Sequence, residues 1–424
     1  MAWLVFLIFL LLLLVRVPIF IALTFSSAIA LLDSHFNLNV LPQKMFAALD
    51  VSTLMAVPGF VVAGVLMARG GISKSLIDAL RAWVGHFSGG LSVVTILACA
   101  VFAAISGSSP ATAAAIGAIM IPGMVEAGYS KRYSMGLVAA SGTLGILIPP
   151  SIPLIVYGTV SEESIGKLFM AGILPGLFLT AVLIVAAIVY ARIKNFGRLP
   201  KLGWRERWIL SFKAIPAAFL PILILGTIYL GVATPTEAAV VSAVYSLLVA
   251  VFIYRQIKWS DVRQILRESI NTSSMIFMII AGATVFGLYL TNAQVPQDVA
   301  KWIMASDVNQ WTFQIAANIL FFIMGMFLEP TSITLITLPI FLPILKMLHI
   351  DLIHFAIIMT VNMELGMITP PVGLNLFVVS GVAKEKLEEV VKGILPFIIL
   401  MIIVLVIIIV WPELSLWLPE HTAQ

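Results

Sequence analysis

The chain has 424 residues, 61% of them hydrophobic and only 10% charged, with a mean hydropathy of +1.12, whereas a soluble protein carries roughly a quarter charged residues. Continuous apolar runs such as "FIILMIIVLVIIIV" at 397–410 exclude a transmembrane β-barrel, whose segments of roughly ten residues alternate polar and apolar. The net charge of +4 is no nucleic-acid signal, and the single cysteine, Cys99, excludes an intrachain disulfide and a cysteine-based metal cluster.

What remains is an all-α polytopic membrane protein. The opening "MAWLVFLIFLLLLLV" has no basic residues ahead of its apolar run, so it reads as a retained membrane segment and not as a cleaved signal peptide. Residues 2–32 are too long for one straight span, and Arg16 and Pro18 interrupt them, which leaves two short pieces or one kinked helix. A helix needs about twenty apolar residues to cross roughly 30 Å of hydrocarbon. Spans are predicted at 51–68, 134–160, 170–191, 214–232, 237–254, 270–290, 355–380 and 393–411. Regions 89–125 and 311–345 do not read as simple spans.

Basic residues favour cytoplasmic loops. The loop 192–213 holds Arg192, Lys194, Arg198, Lys201, Arg205, Arg207 and Lys213 against one acid, Glu206, and is predicted cytoplasmic. Counting spans outward puts 69–88, 126–133, 255–268 and 381–392 on the same side. These loops hold all 24 Lys and Arg except Arg16, Lys44, Lys167, Lys301 and Lys346. The end beyond Trp411 carries Glu413 and Glu420 and no Lys or Arg, which assigns it to the outside.

An internal repeat organises these elements. "GILIPP" at 145–150 has a partner in "GMITPP" at 366–371, "GILP" at 172–175 recurs at 393–396, and Pro122 matches Pro343, each pair 221 positions apart. The span at 172–191 ends in the basic loop, while its partner at 393–411 ends in the acidic tail, so the copies are inverted. Inverted repeats with interrupted helices are the signature of secondary transporters, with the binding site near the midplane between the copies. Proline removes a backbone donor, so Pro149-Pro150 and Pro370-Pro371 mark where one span in each copy stops and restarts. Freed carbonyls there suit a cation, and the restarted half-helix offers N–H groups to an anion. A plain packing kink is the alternative reading of either motif alone.

Region 89–125 brings an apolar arm to Ser106-Gly107-Ser108-Ser109-Pro110 and runs back from Ala111 through small residues. Charge parity allows a re-entrant hairpin or two full spans; length favours the hairpin, because the second arm meets Pro122 after eleven residues. The tip gathers Ser106, Ser108, Ser109 and Thr112, oxygen ligands suited to a hard cation such as Na⁺. An ordinary polar surface loop is the competing reading. The inverted counterpart, 311–345, has its tip at "FLEPTSIT", with Glu329, Thr331 and Ser332. An ionisable group in an apolar stretch is a functional candidate by default. Glu329 and Glu364 are read so, with a structural carboxylate as the alternative, whereas Glu237 reads as an interfacial helix-start residue.

The motifs "SGSSPAT", "GILIPPSIP", "LFMAGILPG", "ATPTEAA" and "GMITPPVGLN" together resemble the large membrane subunit of TRAP (tripartite ATP-independent periplasmic) transporters, over essentially the whole chain. The resemblance implies an ion-transporter-type fold with a scaffold and a mobile transport domain that moves as an elevator. By that likeness 1–88 and 170–290 are scaffold, 89–160 and 311–380 each supply a hairpin and a broken helix, and 393–411 is the final span. It implies a Na⁺ gradient as driving force and no other cofactor. The implied substrate is an organic acid, a sialic acid or a C4-dicarboxylate, handed over by a periplasmic binding protein. The implied partner in the bilayer is a small four-helix membrane subunit on a separate chain. Carried onto this sequence, one ion site uses Ser106, Gly107, Ser108, Ser109 and Pro110 with the break at Gly145, Pro149, Pro150 and Ser151. The other uses Glu329, Thr331 and Ser332 with Gly366, Thr369, Pro370 and Pro371. Substrate is expected between the tips, near Ser108, Thr112, Thr331, Thr369 and Asn375. The family pattern often has Asp where Glu329 stands, so that position carries no substrate inference.

Three rival functions are weaker. A serine hydrolase needs a base beside the nucleophile, yet His35, His86, His349, His354 and His421 all fall in predicted loops or the tail. No His-Glu-x-x-His and no Gly-rich phosphate loop is present. A passive channel would need no Na⁺ gradient, and a related symporter would need no binding protein.

Overall fold

Hydrocarbon offers a backbone amide no partner but another amide, and every regular element among the described residues is helical. The computed structural model describes residues 2–422 apart from 16, 34, 35, 38, 195, 197, 198 and 307. Arg16, His35 and Arg198, which the sequence reading used, lie outside the described residues.

The opening segment forms two short helices in contact, α1 (Ala2–Leu14) and α2 (Ile19–Asp33). α3 (Val40–Leu49) and a 3₁₀ turn lead into α4 (Ala56–Arg69). α5 (Ile72–Val84) buries Ile72, Leu76 and Ile77 on one face and leaves Lys74 exposed on the other. α6 (Gly90–Ser106) and α7 (Ser109–Glu126) form the first helix–turn–helix. α8 (Lys131–Gly142), the single turn α9 (Leu144–Leu147) and α10 (Ile152–Ser161) form one interrupted span, followed by α11 (Ile165–Lys194). The second half runs through α12 (Trp204–Tyr229), α13 (Pro235–Leu248), α14 (Trp259–Asn292) and α15 (Val295–Ala305). It continues through α16 (Gln310–Gly325), α17 (Pro330–Met347), α18 (Leu352–Met367) and α19 (Leu374–Ala383), then α20 (Leu387–Val410) and α21 (Glu413–Thr422).

The repeat is visible in these boundaries. α7 and α17 start and end 221 positions apart, and so do the starts of α8 and α18. The amphipathic α5, which the sequence reading took as a loop, has its counterpart in α15, which it left unassigned. The copies interlock: α10 packs on α17 and α19 on α7, while α2 lies along α14 and α4 along α13. Neither copy therefore buries its apolar faces alone.

Among the described residues, eight stretches are long and apolar enough to cross a membrane, Ser52–Arg69, Lys131–Ser161, Ile165–Lys194, Trp204–Tyr229, Pro235–Ile253, Trp259–Asn292, Pro330–Met347 and Leu387–Val410. The predicted span 355–380 is divided into α18 and α19, each short of that length, because its break is wider. Several predicted loops are shorter than expected. Arg205, Arg207 and Lys213 sit on the first turns of α12, and Arg263 and Arg267 on those of α14, because long basic side chains let a helix continue past the hydrocarbon.

Pro122 does not end the arm it lies in. α7 continues through it, as α17 does through Pro339 and Pro343, α11 through Pro175 and α20 through Pro396. A single proline costs one backbone bond, which a packed membrane helix re-satisfies locally. Glu237 is the expected helix-start residue: the Thr234 N–H donates to its Oε2 at 2.8 Å, and the Glu237 N–H donates to Thr234 Oγ1 at 3.3 Å. His354 lies within α18 and is buried, not in a loop as the sequence suggested; it sits one turn from the helix start, far along α18 from the break.

Candidate functional site: two helix tips over one cavity

The first tip is set by a glycine. Gly107 adopts φ 59°, the left-handed region that favours glycine, and a Cβ there would lie 2.8 Å from the carbonyl oxygen of Pro150. The tip can therefore rest on the break of its own copy, where Ile152 N–H donates to Gly107 O at 3.5 Å. Ser108 is extended and starts α7, with Pro110 in the first turn. Ser106 Oγ and Thr112 Oγ1 lie 2.9 Å apart and both donate to Ser108 O, at 3.3 and 2.8 Å. Gly145 supports the tip from behind: a Cβ on it would meet Ser108 O at 2.5 Å. Ser151 caps α10, accepting from Leu154 N–H at 3.4 Å and donating to Ile146 O at 2.5 Å.

The second tip repeats the scheme with other side chains. Gly325 and Gly366 meet backbone to backbone, and Gly373, at φ 57°, donates its N–H to Met326 O at 3.0 Å. Glu329 starts α17, with Pro330 in its first turn, and Ser332 Oγ donates to Glu329 Oε1 at 3.4 Å. Thr369, in the break just past α18, donates its Oγ1 to Leu365 O at 2.7 Å. The Pro149-Pro150 and Pro370-Pro371 peptides are both cis.

Both tips open on one cavity of about 320 Å³. Ser106, Gly107, Ser108, Ser109 and Pro110 line it from the first copy; Glu329, Pro330 and Thr331 line it from the second. The breaks contribute Ile146, Ile152, Met367 and Leu374, so each tip shares this space with the helix interruption of its own copy. The opposite wall is α4 and α14, with Gly64 and Thr272 among its residues. Among the described residues, Glu329 is the only charged one in the lining.

The remaining predicted site residues stand behind this lining. Gly145, Pro149, Pro150, Ser151, Gly366, Thr369, Pro370 and Pro371 form the breaks on which the tips rest, Thr112 braces the first tip, and Ser332 holds Glu329. Asn375 is fully buried and ties the copies together: its Nδ2 donates to Ser109 Oγ at 2.7 Å and to Ala139 O at 3.3 Å. Glu364 is also fully buried outside the lining, and neither of its carboxylate oxygens has a hydrogen-bond partner among the described residues. Sequence reasoning missed the α4–α14 wall. Gly64 could not announce itself, because its role is to let Ser106 approach: a Cβ there would lie 3.2 Å from Ser106 Cα.

The donor set is all oxygen: hydroxyls and carbonyls at the first tip, with a carboxylate added at the second. That chemistry fits a hard cation. Among the described residues no group of three His, Cys, Asp or Glu could hold a transition metal.

Fold and site define a multi-pass helical membrane transporter, not an enzyme. Residues 6–414 match the tripartite ATP-independent periplasmic transporter DctM component, and the chain belongs to that family. It is 46% identical to the C4-dicarboxylate TRAP transporter large permease protein DctM of Pseudomonas aeruginosa, over 92% of this chain and 91% of that protein. It is 35% identical to the sialic acid TRAP transporter large permease protein SiaM of Vibrio cholerae, over 95% and 93%. The fold is similar to that of the Alcanivorax borkumensis YdaH transporter, with a TM-score of 0.63 at 16% identity, covering 89% of this chain and 88% of that one.

Proposed function

We propose that the chain is the permease of a Na⁺-coupled system that takes up an organic acid, a C4-dicarboxylate first and a sialic acid second. The cavity carries this reading: two inverted tips open on one space that offers oxygen donors and, among the described residues, no basic side chain. An anionic substrate beside Glu329 then needs positive charge from elsewhere, and Na⁺ bound at the tips and breaks supplies it, with help from the N-terminal N–H groups of α7 and α17. The names of the relatives support the substrate order, the dicarboxylate permease being the more similar of the two. A tripartite system implies a periplasmic binding protein that delivers the substrate and a small membrane subunit beside the scaffold. The basic loops are assigned to the cytoplasm and the C-terminus to the periplasm.

Movement is assigned to an elevator. The scaffold comprises α1–α5 and α12–α15, and the mobile body comprises α6–α10 and α16–α19. α11 and α20 are placed with the mobile body, although the sequence reading grouped 170–191 with the scaffold. α11 packs on α6, α9, α10, α18, α20 and α21, and α20 packs on α8, α18 and α19, which supports this boundary.

The test is uptake of labelled succinate into proteoliposomes holding this chain, its small subunit and its binding protein. Uptake should require an inward Na⁺ gradient and the binding protein. Equal uptake without the gradient supports a passive channel, and full uptake without the binding protein supports a stand-alone symporter.

A further inference from the structure

A groove of about 700 Å³ lies away from the transport cavity, between α8, α11 and α20. Its walls are apolar: Phe178, Val182 and Val185 on α11 face Pro396, Phe397 and Leu400 on α20. Its mouth is polar and basic, formed by Ser130, Arg132 and Lys392. Arg132 and Lys392 share one carboxylate, Glu389, so the mouth keeps one positive charge in excess. Lys131 beside it is separately neutralised by Glu385 at 2.8 Å. Leu177, Val185 and Val189 on the same stretch of α11 are exposed, as side chains facing acyl chains are.

We propose that this groove binds an anionic glycerophospholipid, one acyl chain along the α11–α20 wall and the phosphate on Arg132 and Lys392. The shape fits: the cleft is apolar at membrane depth and cationic where the helices leave the hydrocarbon. The mouth is on the side marked by the basic loops, and so in the cytoplasmic leaflet on the orientation proposed above; the lipid binding itself does not depend on transport. Pro396 adds a second polar feature, because proline cannot donate to the carbonyl of Lys392, four residues back, at the mouth. That carbonyl is a natural acceptor for a headgroup hydroxyl, which favours phosphatidylglycerol among anionic lipids. A lipid seated here contacts α8, α11 and α20 together and so travels with the body that holds both breaks.

Native mass spectrometry of the full chain in detergent, titrated with phosphatidylglycerol or phosphatidylcholine of matched chains, tests the assignment. One net charge near the surface gives about a fivefold preference for the anionic lipid. The Arg132→Gln, Lys392→Gln, Glu389→Gln triple variant, which removes all three charges together, should retain both lipids equally. Val185→Trp, at an exposed position that leaves the core untouched, should fill the groove and reduce retention of both. Equal retention of the two lipids by the wild type, an undiminished preference in the triple variant, or loss of bound lipid on adding the small subunit would each overturn the proposal. The last outcome would assign the groove to a protein partner.

Discussion

The two tips share a backbone and differ in charge. In each copy a helix ends in a tight turn, a new helix starts with proline in its first turn, and one backbone hydrogen bond joins turn to break, Ile152 to Gly107 and Gly373 to Met326. The first tip offers only neutral donors, Ser106, Ser108 and Ser109, and is braced from the other copy by Asn375. The second offers Glu329, held within its own copy by Ser332. An inverted repeat thus supplies the same scaffold twice, while side chains make the two sites unequal. A cavity with a carboxylate at one end and hydroxyls at the other is polarised along the line between the tips.

The shared backbone can be broken in both copies at once. Gly145→Leu and Gly366→Leu each force a side chain into backbone, at 2.5 Å from Ser108 O and 2.5 Å from Gly325 Cα. Overpacking of this kind costs about 1–3 kcal/mol or more. Uptake per inserted protein should fall more than about tenfold in both variants, since 1.4 kcal/mol is a decade; loss in one alone would mean that the copies do not share the device. Filling the cavity from either side comes next. Ser108→Leu and Thr331→Leu should both weaken Na⁺ activation of uptake strongly, and unchanged activation in both would remove these residues from the ion sites.

The charge difference is sharpened by Glu329→Gln. Half-saturating Na⁺ should rise by about tenfold, the ratio that corresponds to 1.4 kcal/mol, with no equivalent substitution available in the first copy. If Na⁺ affinity is unchanged, Glu329 is structural. Asn375→Ala tests the bracing: it removes the donor to the buried Ser109 hydroxyl, a loss of about 1–3 kcal/mol, read as a lower thermal midpoint in detergent. The same variant should reduce stabilisation by Na⁺, although Asn375 belongs to the second copy and Ser109 to the first.

The smallest effect lies outside the membrane. The hydrogen bond and charge of Lys131 hold the Glu385 carboxyl below its usual range. Its folded pKa is depressed, so the contribution of this exposed pair is present above the ordinary Glu value of about 4.3 and fades as pH falls through the lower folded value. The thermal midpoints of wild type and Lys131→Gln should differ slightly at neutral pH and converge as pH falls through that lower folded value. A difference that persists there would assign the effect of Lys131 to something other than Glu385.

Long-range order was legible wherever the signal is one-dimensional. Apolar run length announced the spans, basic loops ordered them, and three motifs at a constant offset revealed the inverted copies. The double prolines located both breaks, and the Ser-rich and Glu329 stretches located both tips, because a chain can interrupt a membrane helix only with residues that look unlike their surroundings. A single proline misled for the converse reason: Pro122 looks like the end of an arm, but packing absorbs one missing amide.

What only the tertiary structure decided is which parts of the two copies meet. Sequence determined that there are two tips and two breaks. It did not reveal that α4 and α14 wall the space between the tips, that Asn375 braces the tip of the opposite copy, or that α11 packs with the hairpins. Those facts depend on contacts between residues far apart in the chain, where the decisive feature is often an absent side chain. Gly64, Gly145 and Gly366 matter because two backbones approach there, and a glycine carries no mark of what it approaches until the fold brings the partner to it.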